Sequence, residues 1–472
     1  MTTEKKQNRK AFWGYGVAGF GDSTFYSIIG SFLLFFLTSV AHVPNVAAGF
    51  ISSLGSISDG IWSPVVGFIS DNSTSPKGRR RPFMLKGAIV AMISLAMIFI
   101  TIPGGAVIKC LYYGTLVVVF WVAFGTFFVP YSALGAEIAT DYDDRTWIRT
   151  LTAFFNSAGS LASSVLPTAI VAVIIAAGSS KQAAWASVGA IVGVSAFLTV
   201  FIGGKMTEGA ERIRPELEKK KISLSNIFRE YFSLIKLKTV RFLMLGSILS
   251  LIAYTVMTTG KMYLFTYNMG YSEATSTLVY FVSSIIWMAT APVIKLISDR
   301  LEKRGAFMLG CAITIITGVI YGFKGMENFA DLMIYIFFIS MGNCCYWQLF
   351  PAMMYDISEV DEYINGTRRE GAIMSLQSLA EAFAAALAMF LSGIVLNIGG
   401  YDGTAAVQSG GAELSILSLN TFLPAVFYLA GLILVWRFPL TRKRHHMLQK
   451  AISEGVKMGD KDPEYEDLEA LL

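Results

Sequence analysis

The sequence predicts an all-α polytopic membrane protein, with twelve transmembrane helices in two pseudo-symmetric six-helix bundles. Composition is the first sign: 54% of the 472 residues are hydrophobic and 15% charged, where a globular domain carries about one quarter charged residues. Second, apolar runs of roughly 20 residues, long enough to cross a bilayer, recur twelve times. Third, almost every Lys and Arg falls on one side of those runs.

The predicted spans are 12–38, 45–70, 83–102, 108–135, 150–176, 183–203, 242–267, 274–297, 306–323, 329–354, 371–398 and 415–437. The first follows the basic stretch MTTEKKQNRK. It is too long for a signal-peptide core and lacks a small-residue cleavage motif, so it reads as a retained helix. The longest charged interruption, 205–241, divides the spans six and six and is expected to be an amphipathic, partly helical segment on the membrane surface. The domain boundaries are therefore 1–204, a linker at 205–241, 242–438, and a tail at 439–472.

Orientation follows from the basic residues, which collect in cytoplasmic loops. Of 38 Lys and Arg, all but Lys109, Lys181, Lys261 and Lys324 lie at the N-terminus, in alternate loops, in the linker or in the tail. Both termini are thus expected in the cytoplasm. Cys110, Cys311, Cys344 and Cys345 sit within or at the edge of apolar runs, so neither a disulfide framework nor a zinc site is expected. Three histidines, two of them adjacent in the tail, also argue against a metal site.

The halves echo each other. ISDNSTSPKGRRRPFMLKG (69–87) follows span two, and ISDRLEKRGAFMLG (297–310) follows span eight. PYSALGAEIATDYDDRT (130–146) closes span four, and PAMMYDISEVDEYINGTRREG (351–371) closes span ten. Equal topological positions point to a duplicated six-helix unit, an architecture whose substrate site lies at the repeat interface near the midplane.

These residues carry a family resemblance. Gly67-x-x-x-Asp71 with Gly78-Arg79-Arg80-Arg81-Pro82 resembles the loop signature of the major facilitator superfamily. The GRRRPF wording is similar to that of the glycoside–pentoside–hexuronide:cation symporters and the related sucrose carriers. GDSTFYSIIGSFLLFFLTSV, PYSALGAEIATDYDDRTWIRT and DEYINGTRREGAIMSLQS resemble that family's first helix, its loop after helix four and its loop into helix eleven. The resemblance implies the major facilitator fold, cation-coupled transport and a bacterial inner membrane. The sequence departs from the melibiose-carrier branch: Ser63 stands where that branch has a second acidic residue in span two. Phe128, Ala153 and Ala382 stand near its acidic residue, arginine and lysine in helices four, five and eleven.

An ionisable residue at a helix centre costs about 3 kcal/mol or more, so each one marks a candidate site. Asp59, with Ser56 and Ser63 three and four residues away, can take a proton or supply part of a sodium site; Thr126 on span four is a further oxygen ligand. Asp22 lies about 15 Å into span one at 1.5 Å per residue. Its spacing from Tyr15 and Tyr26 puts all three on one helical face, suited to sugar hydroxyls. Lys261, with Thr258 and Tyr254, either pairs with Asp22, Asp59 or Glu381, meets a substrate carboxylate, or snorkels to the outer interface. Glu381 and Gln377 share a face of span eleven, and Tyr131, Tyr346 and Trp347 are candidate stacking surfaces. Pro130 and Pro351 kink corresponding helices. Asp71, Arg79, Arg80, Arg81, Asp141, Arg145, Asp299 and Arg368 are expected to form a cytoplasmic gate.

The leading function is cation-coupled (H+ or Na+) symport of a glycoside, sugar or sugar acid by alternating access. The alternative is the same fold moving a non-sugar organic solute, anionic or lipid-like, or acting as an uncoupled facilitator. The chain shows no nucleophile–base pair, metal cluster or Walker loop, so an enzyme is not expected, and no stretch resembles a channel filter. No cofactor beyond the coupling ion, no nucleic-acid partner and a monomer in the bilayer complete the expectation.

Overall fold

The computed structural model describes residues 3–73, 75, 78–138, 142–210, 224–366, 369–405, 407–456 and 465–468, with Asp71 and Arg145 described by their helical backbone alone. Every element over those residues is helical: α1 Thr3–Ser39, α2 Asn45–Asp71, α3 Arg81–Ile98, α4 Ala106–Ile138, α5 Tyr142–Ala176, α6 Lys181–Met206, α7 Leu224–Ile235, α8 Lys238–Tyr263, α9 Glu273–Lys324, α10 Phe329–Asn365, α11 Glu370–Ile398, α12 Gly410–Asn420, α13 Phe422–Trp436 and α14 Arg442–Ser453. A π-helical turn, Leu264–Asn268, continues α8.

Ten helices among the described residues are long and apolar enough to cross a membrane. Two features account for the difference from the twelve spans expected. α2 has 27 residues, enough to span, but its serines and aspartates keep it outside those ten. α9 runs for 52 residues because two spans join without a loop; Glu302, at φ 64° and ψ 161°, leaves helical geometry and breaks them apart. A basic, helix-favouring sequence hides that break, since LEKRG carries no proline. The last span is interrupted at Thr421, between α12 and α13. Within the linker, α7 forms the amphipathic helix expected there, and the tail carries one more helix, α14, that hydropathy could not reveal.

Helix ends follow their local chemistry. The Ser180 hydroxyl accepts the Ala183 N–H at the start of α6, and Asn328 Oδ1 accepts the Asp331 N–H at the start of α10. α10 stops at Gly366, whose φ of 68° is a left-handed cap that glycine adopts without strain.

The chain forms two compact units. The first takes residues 1–220 together with 258–281 and 389–416. Inside it α1 is the central element, packed most extensively on α5 and α6. Small residues make the close approach: a Cβ on Gly203 would sit 2.5 Å from the Gly14 carbonyl oxygen. At the end of α1 away from the basic loops, hydroxyls tie these segments together. Thr38 Oγ1 and Tyr263 OH are 2.6 Å apart, Ser39 Oγ and Tyr401 OH 2.7 Å, and Tyr401 OH donates to Tyr267 OH at 2.9 Å.

The second unit takes residues 221–257, 282–388 and 417–472. Its core is held by polar contacts between helices: Tyr428 OH donates to Asn343 Oδ1 at 2.6 Å, and Ser247 Oγ lies 2.9 Å from Tyr346 OH. α14 packs on α10.

Candidate functional site

Asp59 sits in the second half of α2, partly buried. Ser63, one turn later, donates its hydroxyl to Asp59 Oδ1 at 3.1 Å. The pair faces Gly125 of α4: a Cβ there would stand 2.9 Å from Asp59 Oδ1 and 3.3 Å from Ser63 Oγ. Glycine at 125 therefore lets α4 pack closely against the carboxylate, with no room for a side chain. Ser56 is buried one turn before Asp59. Thr126 is committed elsewhere: its hydroxyl accepts Trp62 Nε1–H at 2.8 Å and donates to the Val122 carbonyl at 2.7 Å. The indole of Trp62, a residue not singled out from the sequence, is thus a direct partner of Thr126.

Asp22 is buried on α1 and makes no hydrogen bond or ion pair among the described residues, while lying close enough to Tyr15 and Tyr131 to interact electrostatically. Those rings are stacked at 4.5 Å, and Tyr131 OH donates to the Tyr15 carbonyl at 3.1 Å. Asn156 of α5 adds a buried side-chain carbonyl with no partner among the described residues, in contact with the position a Gly19 Cβ would take. Tyr26 separates from this group: it is 44% exposed and packs on Trp121 and Phe124. The wide helical face that collected Tyr15, Asp22 and Tyr26 is divided by packing.

Lys261 lies on α8 just before the π turn, a feature frequent at functional sites. In the second unit, Tyr254 packs edge-on against Trp347 with centroids 5.6 Å apart and lies 6.4 Å from Trp287. The indole N–H of Trp347 is buried without a partner among the described residues. Gln377 Nε2 donates to Glu381 Oε1 at 2.8 Å, and its carbonyl oxygen is likewise buried and unpartnered there. Such orphaned polar atoms are uncommon in folded interiors and call for a partner that the protein alone does not supply.

The basic loop has a definite structural role. Arg79 pairs with Glu137 at the C-terminal end of α4, and Arg80 Nε reaches the same carboxylate at 3.1 Å while its NH1 donates to Ser70 Oγ at 2.8 Å. Arg81 Nε donates to the Gly204 carbonyl at 2.7 Å, and its guanidinium lies 3.4 Å from Glu208. The three arginines thus tie α2, α3, α4 and α6 of one unit. The second unit repeats the device: Lys303 pairs with Asp356 at 2.7 Å, and Arg369 with Asp361 at 2.5 Å. Glu137 and Lys303 are the partners that the sequence reading missed. Asp299 lends its carbonyl to Arg442 at 3.4 Å. Asp141 and Arg368 lie outside the described residues. No group of His, Cys, Asp or Glu suited to a metal occurs among the described residues.

With this geometry in place, comparison with known proteins is informative. Residues 14–442 match the MFS/sugar transport protein family. The uncharacterized symporter YjmB of Bacillus subtilis (strain 168) is 27% identical over 458 residues, covering 94% of this chain and 95% of its own. The lactose permease of Leuconostoc lactis is 23% identical, covering 97% of this chain and 74% of its own. Among solved structures, a D-xylose-proton symporter superposes with a TM-score of 0.64 at 13% identity, over 91% of this chain and 97% of its own, a likeness of fold.

Proposed function

The chain belongs to the MFS/sugar transport protein family, a family of integral membrane transporters and not of enzymes; from that premise we propose that it is a cation-coupled symporter of a glycoside, sugar or sugar acid. The observation that carries the reading is Asp59: a carboxylate inside an apolar helical membrane protein, with Ser63 as its one described hydrogen-bond donor and Gly125 of α4 packed against it. A carboxylate kept there at a cost of about 3 kcal/mol or more serves a purpose that packing alone does not require.

Asp59, with Ser63 and Ser56, holds the coupling ion. One of the two Thr126 lone pairs accepts from Trp62, which weakens its oxygen as a sodium ligand and favours a proton as the ion carried. Asp22 and Tyr131 in the first unit accept and donate hydrogen bonds to substrate hydroxyls. Trp347, with Tyr254, offers an aromatic surface to the apolar face of a sugar ring, and Gln377 and Glu381 supply further polar contacts. The basic side chains paired with Glu137, Asp356 and Asp361 hold the inner helix ends, both termini lie in the cytoplasm, and the protein acts as a monomer in a bacterial inner membrane. The names of relatives support a small solute: lactose permease and isoprimeverose transporter occur among them.

Counterflow in proteoliposomes across a panel of glycosides and sugar acids, with pH and sodium varied separately, tests the reading. Saturable exchange with accumulation driven by a pH gradient is expected. Exchange of no panel member, or conductance that neither saturates nor counterflows, overturns it.

A further inference from the structure

We propose that α7 and the first turn of α8 form a binding surface for anionic phospholipid. Arg229, Lys236, Lys238 and Arg241 meet the headgroup phosphates, while Phe232 and Ile235 enter the boundary with the acyl chains. Residues 229–241 hold those four bases against one acid, Glu230, and the whole stretch 205–241 holds ten bases against five acids. All four bases are exposed. None makes an ion pair among the described residues, and Arg241 has only the Phe242 ring, its centroid 6.0 Å from the guanidinium. Other basic side chains at helix ends are matched: Arg79 and Arg80 by Glu137, Lys303 by Asp356, and Arg369 by Asp361.

One side of this segment is seated on the second unit. Leu234 and Leu237 are buried. Ser233 Oγ accepts Arg369 NH1 at 2.7 Å, and Arg369 is itself held by the buried Asp361. The other side is uncovered among the described residues: Phe232 is 68% exposed and Ile235 41%. Arg229, Phe232 and Ile235 recur every three residues, so they share one helical face. Large apolar groups there are unfavourable in water, and cations beside them are unfavourable in hydrocarbon. The boundary between the two accommodates both. The place in the chain agrees, because α8 starts at Lys238 and is long and apolar enough to cross a membrane, which sets these bases where the chain enters the bilayer. A zwitterionic headgroup brings no net charge to four cations that lack counter-ions, whereas an anionic one does. Seating by Leu234, Leu237 and Ser233 also fixes the array in advance, so lipid binding does not have to order a free loop.

The test places the full chain in nanodiscs of phosphatidylcholine, alone or with part of it replaced by phosphatidylglycerol, and follows deuterium uptake at residues 229–241. Phosphatidylglycerol is expected to slow uptake there at least about threefold, and high salt is expected to reverse the effect by screening. The joint variant Arg229→Gln, Lys236→Gln, Lys238→Gln and Arg241→Gln is expected to lose the difference between lipids while melting like the wild type in phosphatidylcholine, which reports that it folds. The joint variant Arg229→Lys, Lys236→Arg, Lys238→Arg and Arg241→Lys is expected to keep the difference. Equal wild-type uptake in the two lipids, or an undiminished lipid response in the glutamine variant, overturns the assignment. Protection that follows the number of protein copies per disc rather than lipid charge also overturns it, in favour of a second copy of the chain. No step of the test uses transport, so its failure leaves the transporter reading standing.

Discussion

Ser63 Oγ donates to Asp59 Oδ1 across 3.1 Å, one turn further along α2. A single hydroxyl donor steadies the carboxylate and leaves its other oxygen open to an ion. Asp59→Asn keeps the shape and removes the charge. Gradient-driven accumulation is expected to fall at least about tenfold, equivalent to about 1.4 kcal/mol, while counterflow stays within a few-fold. Wild-type accumulation by the Asn variant, measured against an imposed pH gradient, refutes the coupling role.

Gly125 packs directly against this carboxylate. A methyl group there would stand 2.9 Å from Asp59 Oδ1, and overpacking of this kind typically costs about 1–3 kcal/mol. Gly125→Ala is expected to weaken coupling more than it weakens the fold. Gly105→Ala is the control, because nothing lies within 4 Å of its Cβ position. Equal accumulation by the two variants, with equal melting temperatures in detergent, removes the case that close packing at Gly125 matters to the carboxylate.

Arg80 and Arg79 share Glu137, yet they differ in burial: the Arg80 side chain is 7% exposed and that of Arg79 25%. Removing one partner of a buried pair costs about 3–5 kcal/mol, most of it from the charge left behind. Arg80→Met is therefore expected to lower the melting temperature more than Arg79→Met. Joint replacement with Glu137→Leu is expected to recover part of the loss, which a double-mutant cycle of thermal shifts measures.

How much of this was legible without coordinates depends on sequence distance. Spans announced themselves by hydropathy because a bilayer demands length and apolarity together. The break at Glu302 did not, since it arises from one residue's backbone angles within a helix-favouring basic stretch. Asp59 and Ser63 were readable as a pair because four residues make one helical turn. Arg80 and Glu137 are 57 residues apart, and only the packing of α2, α3 and α4 brings them together. The two helical halves of the charge pattern could be matched by eye, but not the partner each arginine takes. Thr126 is a different case: its place on α4 could be read, but the hydrogen bond its hydroxyl accepts from Trp62 depends on side-chain packing.

Tyr401 ties three segments of the first unit at the end remote from the basic loops. Its hydroxyl meets Ser39 Oγ at 2.7 Å and Tyr267 OH at 2.9 Å, and its carbonyl accepts Asn45 Nδ2 at 2.8 Å. Its ring also packs edge-on against Tyr263, whose own hydroxyl meets Thr38 Oγ1 at 2.6 Å. Tyr401→Phe keeps the ring packing and removes one hydroxyl from two bonds, leaving buried Ser39 short of a partner. A net hydrogen bond contributes about 1 kcal/mol, and a buried group left unmade costs about 1–3 kcal/mol. The variant is expected to lower the melting temperature by a few degrees and to raise deuterium uptake at residues 36–43 and 263–270, where the shared bonds end. Tyr401→Ala is expected to do more, because it also removes the ring contacts with Tyr263 and Tyr267. Uptake unchanged in both variants would mean that the hydroxyl chain does not hold these segments together and that backbone packing alone does.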